Sequence, residues 1–228
     1  MWVVSQTVDM HTYIAPIGYD SARVTRPVLS HGVTPDDKII LLQPKNENED
    51  GRASEAVSDV KRLVTELEPS LSLELVDLEH DNFPDSIVIC SELIEGAEGE
   101  VVVVLGGGAR DIFFPLSVAA IAHQKLVNTV LQFSDIDGQI REIPLPNFAH
   151  QLTQSQIETL HSIAISDTPL SLSDLAEITG ISKSTAARHV QKLETNGFVE
   201  SEYHGRAKII DLTEMGVIHH SIYKTPSS

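Results

Sequence analysis

The chain has 228 residues, 41% of them hydrophobic, which is room for two compact domains that each bury a core. Its 33 acids against 16 Lys and Arg set a net charge of −17, which excludes a uniformly basic nucleic-acid coat. The lone Cys90 excludes an internal disulfide framework, the opening MWVVSQTVDM lacks the regions of a secretory leader, and no run approaches the ~20 apolar residues of a membrane span. The composition therefore predicts a cytoplasmic protein with no membrane partner. The charge is unevenly spread. Residues 1–146 hold 24 acids and 10 Lys and Arg, whereas residues 147–228 hold 9 and 6, with six of the ten histidines. Only eight lysines accompany the acids, a balance that also fits a high-salt habitat.

Residues 1–9 have no evident role, and Met10 is a possible natural start. From there to about residue 145, apolar strand runs alternate with amphipathic helical stretches, the pattern of an α/β domain built on a mostly parallel sheet. Strands are predicted at His11–Pro16, Lys38–Gln43, Ser72–Leu78, Glu100–Leu105 and Leu126–Phe133, with a last one at Gln139–Ile143 after the turn Asp135-Ile136-Asp137-Gly138. Helices are predicted at Ser21–His31, Ala53–Glu68, Asp85–Glu95 and Asp111–Gln124. The last is apolar around most of its circumference, so it is either buried or part of a dimer seam. The run 46–51 (NENEDG) reads as a solvated loop. Cys90 reads as a core residue. An α/β domain over residues 1–146 is thus separated by a stiff, proline-bearing linker at 143–149 from a second domain at 150–228.

Val101-Val102-Val103-Val104-Leu105 is a continuous β-branched run, expected of a strand buried on both faces. It runs directly into Gly106-Gly107-Gly108-Ala109-Arg110-Asp111 and a helix. Glycines there let backbone N–H groups turn toward an anion at the carboxyl end of the sheet, and Asp111 is placed to cap the helix. Arg110 stands at a helix N-terminus, where the dipole disfavours a cation unless a phosphate sits beside it. The plain alternative is a glycine-rich turn with an exposed arginine. A dinucleotide fingerprint would need glycine where Asp111 stands, and a Walker A loop would need Gly-Lys-Ser/Thr, so neither applies. The end of the first strand, Ile17-Gly18-Tyr19-Asp20-Ser21, supplies a second loop, with Gly18 for a sharp turn and Asp20 or Ser21 as cap. First and fourth strands lie side by side in many doubly wound sheets, so both loops would open into one crevice. Tyr19 could stack on a base or be an ordinary surface tyrosine. Arg23 and Arg26 could reach the crevice or lie along a solvated helix face.

The second domain opens with a helix at Thr153–Ile165, Thr153 as N-cap. Leu172, Leu175, Ala176 and Ile178 share one face of a short helix capped by Ser171 or Ser173, and Gly180 suits the left-handed turn that ends it. Ser182 caps the next helix, whose apolar stripe is Ala186, Val190 and Leu193. Its other face offers Lys183, Ser184, Thr185, Arg188, His189 and Lys192, small and cationic donors suited to phosphates and base edges in a major groove. Strands Phe198–Tyr203 and Ala207–Leu212 follow, joined by His204-Gly205-Arg206, with Lys208 just beyond, as a wing that grips flanking backbone requires. This is the order of a DNA-binding winged helix-turn-helix. The alternative is a small bundle packing only against protein. His219-His220 lacks a Cys or acidic cluster at ligand spacing, so no metal site is expected.

The two loops together with the winged helix resemble the CRISPR-associated Rossmann-fold (CARF) transcription regulators of archaea. The likeness runs through Ile17-Gly18-Tyr19-Asp20, Gly106-Gly107-Gly108-Ala109-Arg110-Asp111 and the C-terminal helix-turn-helix, and covers nearly the whole chain in domain order. It implies a Rossmann-like sensor domain that dimerises, binds cyclic oligoadenylate, typically the four-membered ring, across the two-fold axis, and relays this to winged helices acting on CRISPR-associated operons. The family's second loop usually reads like Gly-Gly-Thr-Arg, so Ala109 here removes a hydroxyl contact. Gly18, Tyr19, Asp20, Ser21 and Gly106 to Asp111 are the expected ligand-binding residues. Ser182, Lys183, Ser184, Thr185, Arg188, His189, Lys192, His204, Arg206 and Lys208 are the expected DNA-binding ones, reading an inverted-repeat operator as a homodimer. No catalytic residue and no cofactor other than the ring ligand is expected. Some related sensors cut their ring, but the candidate bases His11 and His31 read as structural or exposed. A third possibility is a regulator of another nucleotide-like metabolite.

Overall fold

The computed structural model describes residues 10–45, 51–147, 152–166, 168–205 and 207–223. The expectations for residues 1–9, for most of the 46–51 run, for the end of the linker and for Arg206 lie outside the described residues. The chain falls into two compact units, Met1–Ile143 and Pro144–Ser228.

In the first unit, β1 (His11–Pro16), α1 (Ala22–His31), β2 (Lys38–Pro44), α2 (Gly51–Leu67), β3 (Ser72–Leu78), α3 (Phe83–Glu95), β4 (Glu100–Leu105), α4 (Arg110–Ala122), β5 (Val127–Phe133) and β6 (Ile140–Glu142) alternate along the chain. They form one sheet in the order β3-β2-β1-β4-β5-β6. The first five strands pair in parallel, and β6 pairs antiparallel with β5. Strand alternation builds a core on each face. On one, Tyr13, Ala15, Ile39, Leu41, Val102 and Val104 pack with Val24 and Val28 of α1 and Ala56 and Val60 of α2. The intervening Ile14, Ile40 and Val103 are also fully or almost fully buried, as are Ile112, Leu116, Ala119 and Ala120 of α4 and Cys90 and Ile94 of α3. Burial pushes the Cys90 thiol up to about 12, so it stays protonated and packs as a small hydrophobe. Each buried aliphatic chain is worth about 1.5–3 kcal/mol, which is why the valine run fixes β4 at the centre. The chain winds outward from β1 through β2 to β3, then returns to place β4 on the other side of β1. That reversal puts the switch point between β1 and β4, at their carboxyl ends.

The second unit contains α5 (Gln154–Ala164), β7 (Leu170–Ser171), α6 (Leu172–Thr179), α7 (Lys183–Thr195), β8 (Val199–His204), β9 (Ala207–Leu212) and α8 (Glu214–Tyr223). Thr153 and Gln156 form a capping box on α5, and Ser171 and Asp174 form another on α6. The Ser171 hydroxyl also holds the Asp174 carboxyl below its usual range. Ser182 caps α7, its oxygen accepting from the Thr185 N–H, and Gly180 ends α6 at φ +67°. Leu160, Ile163, Leu175, Val190, Leu193, Phe198 and Ile210 close a single core. β9 lies between β7 and β8, both antiparallel to it. The two-residue β7 has no counterpart in the predicted elements, being too short to show a period.

Of the two cap candidates for α1 Asp20 is the one used, and the cap of α4 differs from expectation. α1 starts at Ala22 because the Asp20 carboxylate accepts the Ala22 N–H at 3.0 Å, and the Ser21 side chain makes no cap bond. α4 starts at Arg110, one residue early, so Ala109 takes the cap position and Asp111 lies inside the first turn; the helix has no side-chain cap.

Candidate functional site

The loops that follow β1 and β4 meet. Gly18, Tyr19, Asp20, Arg23, Gly107, Gly108 and Ala109 line one cleft of about 300 Å³ at the carboxyl end of the sheet. Ser21, Gly106, Arg110 and Asp111 do not line it. Gly106 is buried beneath the loop, Ser21 is half-buried, and Arg110 and Asp111 are exposed on the first turn of α4.

Glycine is required here by contact as well as conformation. A Cβ on Gly106 would lie 2.0 Å from the Arg23 carbonyl oxygen, and one on Gly108, at φ +87°, would lie 2.6 Å from Pro16 Cβ. A Cβ on Gly18 would stand 3.2 Å from Gly108 Cα. The two loops therefore approach backbone to backbone, which leaves peptide groups rather than side chains at the floor of the cleft. Tyr19 is exposed at its mouth with the Arg52 guanidinium 4.6 Å above its ring centre.

The cation inside the cleft is Arg23, left open by the sequence, rather than Arg110. Its stem runs against Gly107, where an added Cβ would come within 3.0 Å of Arg23 Cδ. Its guanidinium is held by two carboxylates: Nε lies 3.4 Å from Asp20 Oδ2, and a terminal nitrogen pairs closely with Asp135. Arg26 instead covers the Phe133 ring at 5.3 Å.

In the second unit α7 exposes Lys183, Ser184, Arg188 and Lys192 together with its cap Ser182, while Thr185 is half-buried. The Ser182 hydroxyl bonds to those of Ser184 and Thr185 at 2.9 and 2.8 Å, and Lys183 Nζ donates to Ser173 at 2.9 Å. His189 does not join this face. It is 6% exposed and its Nδ1 lies 2.9 Å from the Thr159 hydroxyl of α5, so it belongs to the core. Burial, and then the nearby Arg188, lower its pKa, keeping the ring neutral and unsuited to a phosphate contact. Lys208 is also not a free wing cation: Nζ lies 2.9 Å from Glu194 of α7 and ties β9 to that helix. His204 is exposed at the end of β8, 3.5 Å from Glu202.

His11 and His31 meet edge to face at 5.1 Å beside the buried Asp37, at the amino end of β1. That is a strand length from the cleft, roughly 17 Å at ~3.3 Å per residue. His161 Nδ1 and His220 Nε2 lie 2.9 Å apart. No cluster of three or more His, Cys, Asp or Glu side chains able to hold a metal occurs among the described residues. No described helix is long and apolar enough to cross a membrane.

The model of the Csa3 CRISPR-associated Rossmann-like domain matches residues 11–144, and that of the MarR family matches residues 150–207. Among solved structures, the chain is similar to the PcaV transcriptional regulator from Streptomyces coelicolor in complex with its natural ligand, at 24% identity over 32% of this chain and 52% of that one, TM-score 0.30. It is similar also to S. aureus MepR in complex with DNA, at 22% identity over 32% and 61%, TM-score 0.30. Streptococcus pneumoniae FabT in complex with DNA gives 18% identity over 32% and 53%, TM-score 0.30. The chain thus spans about half the length of PcaV and of FabT. Comparison with curated proteins gives no match.

Proposed function

The chain belongs to the family of the Csa3 CRISPR-associated Rossmann-like domain, which it matches over residues 11–144, and from that premise we propose that it is a ligand-responsive, DNA-binding transcription regulator of CRISPR-associated genes. Its second unit is a winged helix of the MarR family. The ligand is a cyclic oligoadenylate, the four-membered ring by the family resemblance, shared by two copies of the sensor unit.

The observation that carries this reading is the single cleft formed by the loops after β1 and β4, floored by glycine backbone at the switch point of the sheet. Backbone N–H groups and a helix N-terminus without a side-chain cap favour an anionic ligand. A cleft of about 300 Å³ is at the lower limit for a single drug-sized molecule. A ring of four nucleotides exceeds it, which supports two copies facing one another, and a two-fold axis suits a symmetric ring. The exposed Phe114 of α4, stacked at 5.3 Å on the exposed Phe83, offers apolar surface for that seam. Neither matching family is an enzyme family. The two histidines weighed as bases for ring cleavage stand at the far end of β1 from the cleft.

Paired winged helices would then read two half-sites, with Lys183, Arg188 and Lys192 on α7 supplying phosphate and base contacts. Arg188→Ala tests the DNA half directly. Losing one exposed guanidinium is expected to weaken operator binding about 10- to 100-fold in a gel-shift titration, and to leave ring affinity unchanged. An unaltered shift would remove α7 from the interface.

A further inference from the structure

We propose that Arg23 is the cation that receives ligand phosphate in this cleft, and that Asp135 is the carboxylate the phosphate displaces, so that binding frees the turn leading into β6. The proposal rests on the reading of the cleft as a phosphate-ligand site. Arg23 projects from the first turn of α1 along the glycine loop and lines the cleft, whereas Arg110 does not. It is only partly exposed, and its guanidinium already has two acidic partners, Asp20 and Asp135. With both in place the Arg23 charge is already neutralised, which leaves it little attraction for a phosphodiester. One of them must yield.

The two partners differ in how firmly they are anchored. Asp20 is locked into the start of α1, its other carboxylate oxygen accepting the Ala22 N–H at 3.0 Å. Asp135 sits 65% exposed on the turn between β5 and β6, and among the described residues its carboxylate is held by Arg23 alone. A phosphate oxygen offers Arg23 the same charge-assisted geometry with more acceptors, so exchange is favourable once the ligand's other phosphates and bases are held. The turn that Asp135 anchors runs through Gly138 at φ +67°, closed by the Gly138 N–H on the Ser134 carbonyl at 2.9 Å, and feeds β6. β6 is three residues long, is an edge strand, and is the last element before the unit boundary at Ile143. Release of this turn therefore acts on the segment that continues into the DNA-binding unit.

The test uses the full chain with two probes, cyclic tetra-adenylate and inorganic tripolyphosphate. Arg23→Gln keeps the stem that packs on Gly107 and removes the charge; it is expected to weaken ring binding at least about tenfold. Asp135→Asn is expected to tighten it about two- to fivefold, the scale of one partly exposed ion pair. Asp137→Asn makes the same charge change in the same turn, but that carboxylate is tied to Arg141, so affinity should move less. Hydrogen exchange at residues 136–141 should quicken in Asp135→Asn without ligand, and in the unmutated chain on adding the ring. Unchanged ring affinity in both Arg23→Gln and Asp135→Asn would overturn the latch and leave the cyclic-oligoadenylate reading intact. If only tripolyphosphate binds, with the same dependence on Arg23 and Asp135, the latch stands and the ring reading falls. Binding of neither probe overturns the latch, and so does unaltered exchange in Asp135→Asn.

Discussion

Gly106→Ala is expected to destabilise the sensor unit by about 1–3 kcal/mol and to abolish ligand binding, a far larger effect than one methyl group usually has. The added carbon would lie 2.0 Å from the Arg23 carbonyl oxygen and 3.0 Å from its carbonyl carbon, both backbone atoms that no rotamer change can move aside. Either α1 or the glycine loop must shift, and the cleft between them closes or splays. Gly180→Ala provides the comparison. Its Cβ meets nothing within 4 Å, but the residue sits at φ +67°, so the cost is conformational, about 1 kcal/mol, and confined to the end of α6. Denaturant midpoints of the two variants separate a steric from a conformational requirement. A Gly106→Ala protein with unmutated stability and ring affinity would show that the loops are not in contact as described.

Phe198→Ala is the second large effect. The ring is fully buried at the start of the wing, in one core with Leu160, Val190 and Leu193, and 4.4 Å from the His219 ring. Truncation costs about 3–5 kcal/mol, against a total of roughly 5–15 kcal/mol for a whole domain. The winged-helix unit is therefore expected to be largely unfolded near 40 °C and to lose operator binding, while hydrogen exchange in β1, β2 and β4 stays at its unmutated level. Exchange that rises equally in both units would mean that they unfold as one.

The parts of this structure that local rules govern were legible in the sequence. The valine run, too apolar for a half-buried strand, marked β4 as central, and the glycines directly after it marked the carboxyl-end loop. Ser182, Gly180 and Thr153 announced their helix ends because capping is decided within four residues. His189 was also legible by spacing: Ala186, His189, Val190 and Leu193 form an i, i+3, i+4, i+7 stripe, and that stripe is what α7 buries. Its chemistry as a donor, beside Arg188, pointed to the wrong face. Lys208 and Arg23 were different. The Glu194 that neutralises Lys208 and the Asp135 that holds Arg23 are brought there by tertiary packing, Asp135 from 112 residues further along the chain. No periodicity encodes such a pairing, so the cation on the glycine loop had to be found in the fold.

Calorimetric titration of the full chain with cyclic tetra-adenylate, at high salt if solubility demands it, tests the central claim most directly. Saturation at one ring per two chains, lost in Gly106→Ala, is the expected result and ties the ligand to the cleft between the β1 and β4 loops. Absence of binding, or binding that survives in Gly106→Ala, would contradict the assignment of that cleft as a cyclic-oligoadenylate site.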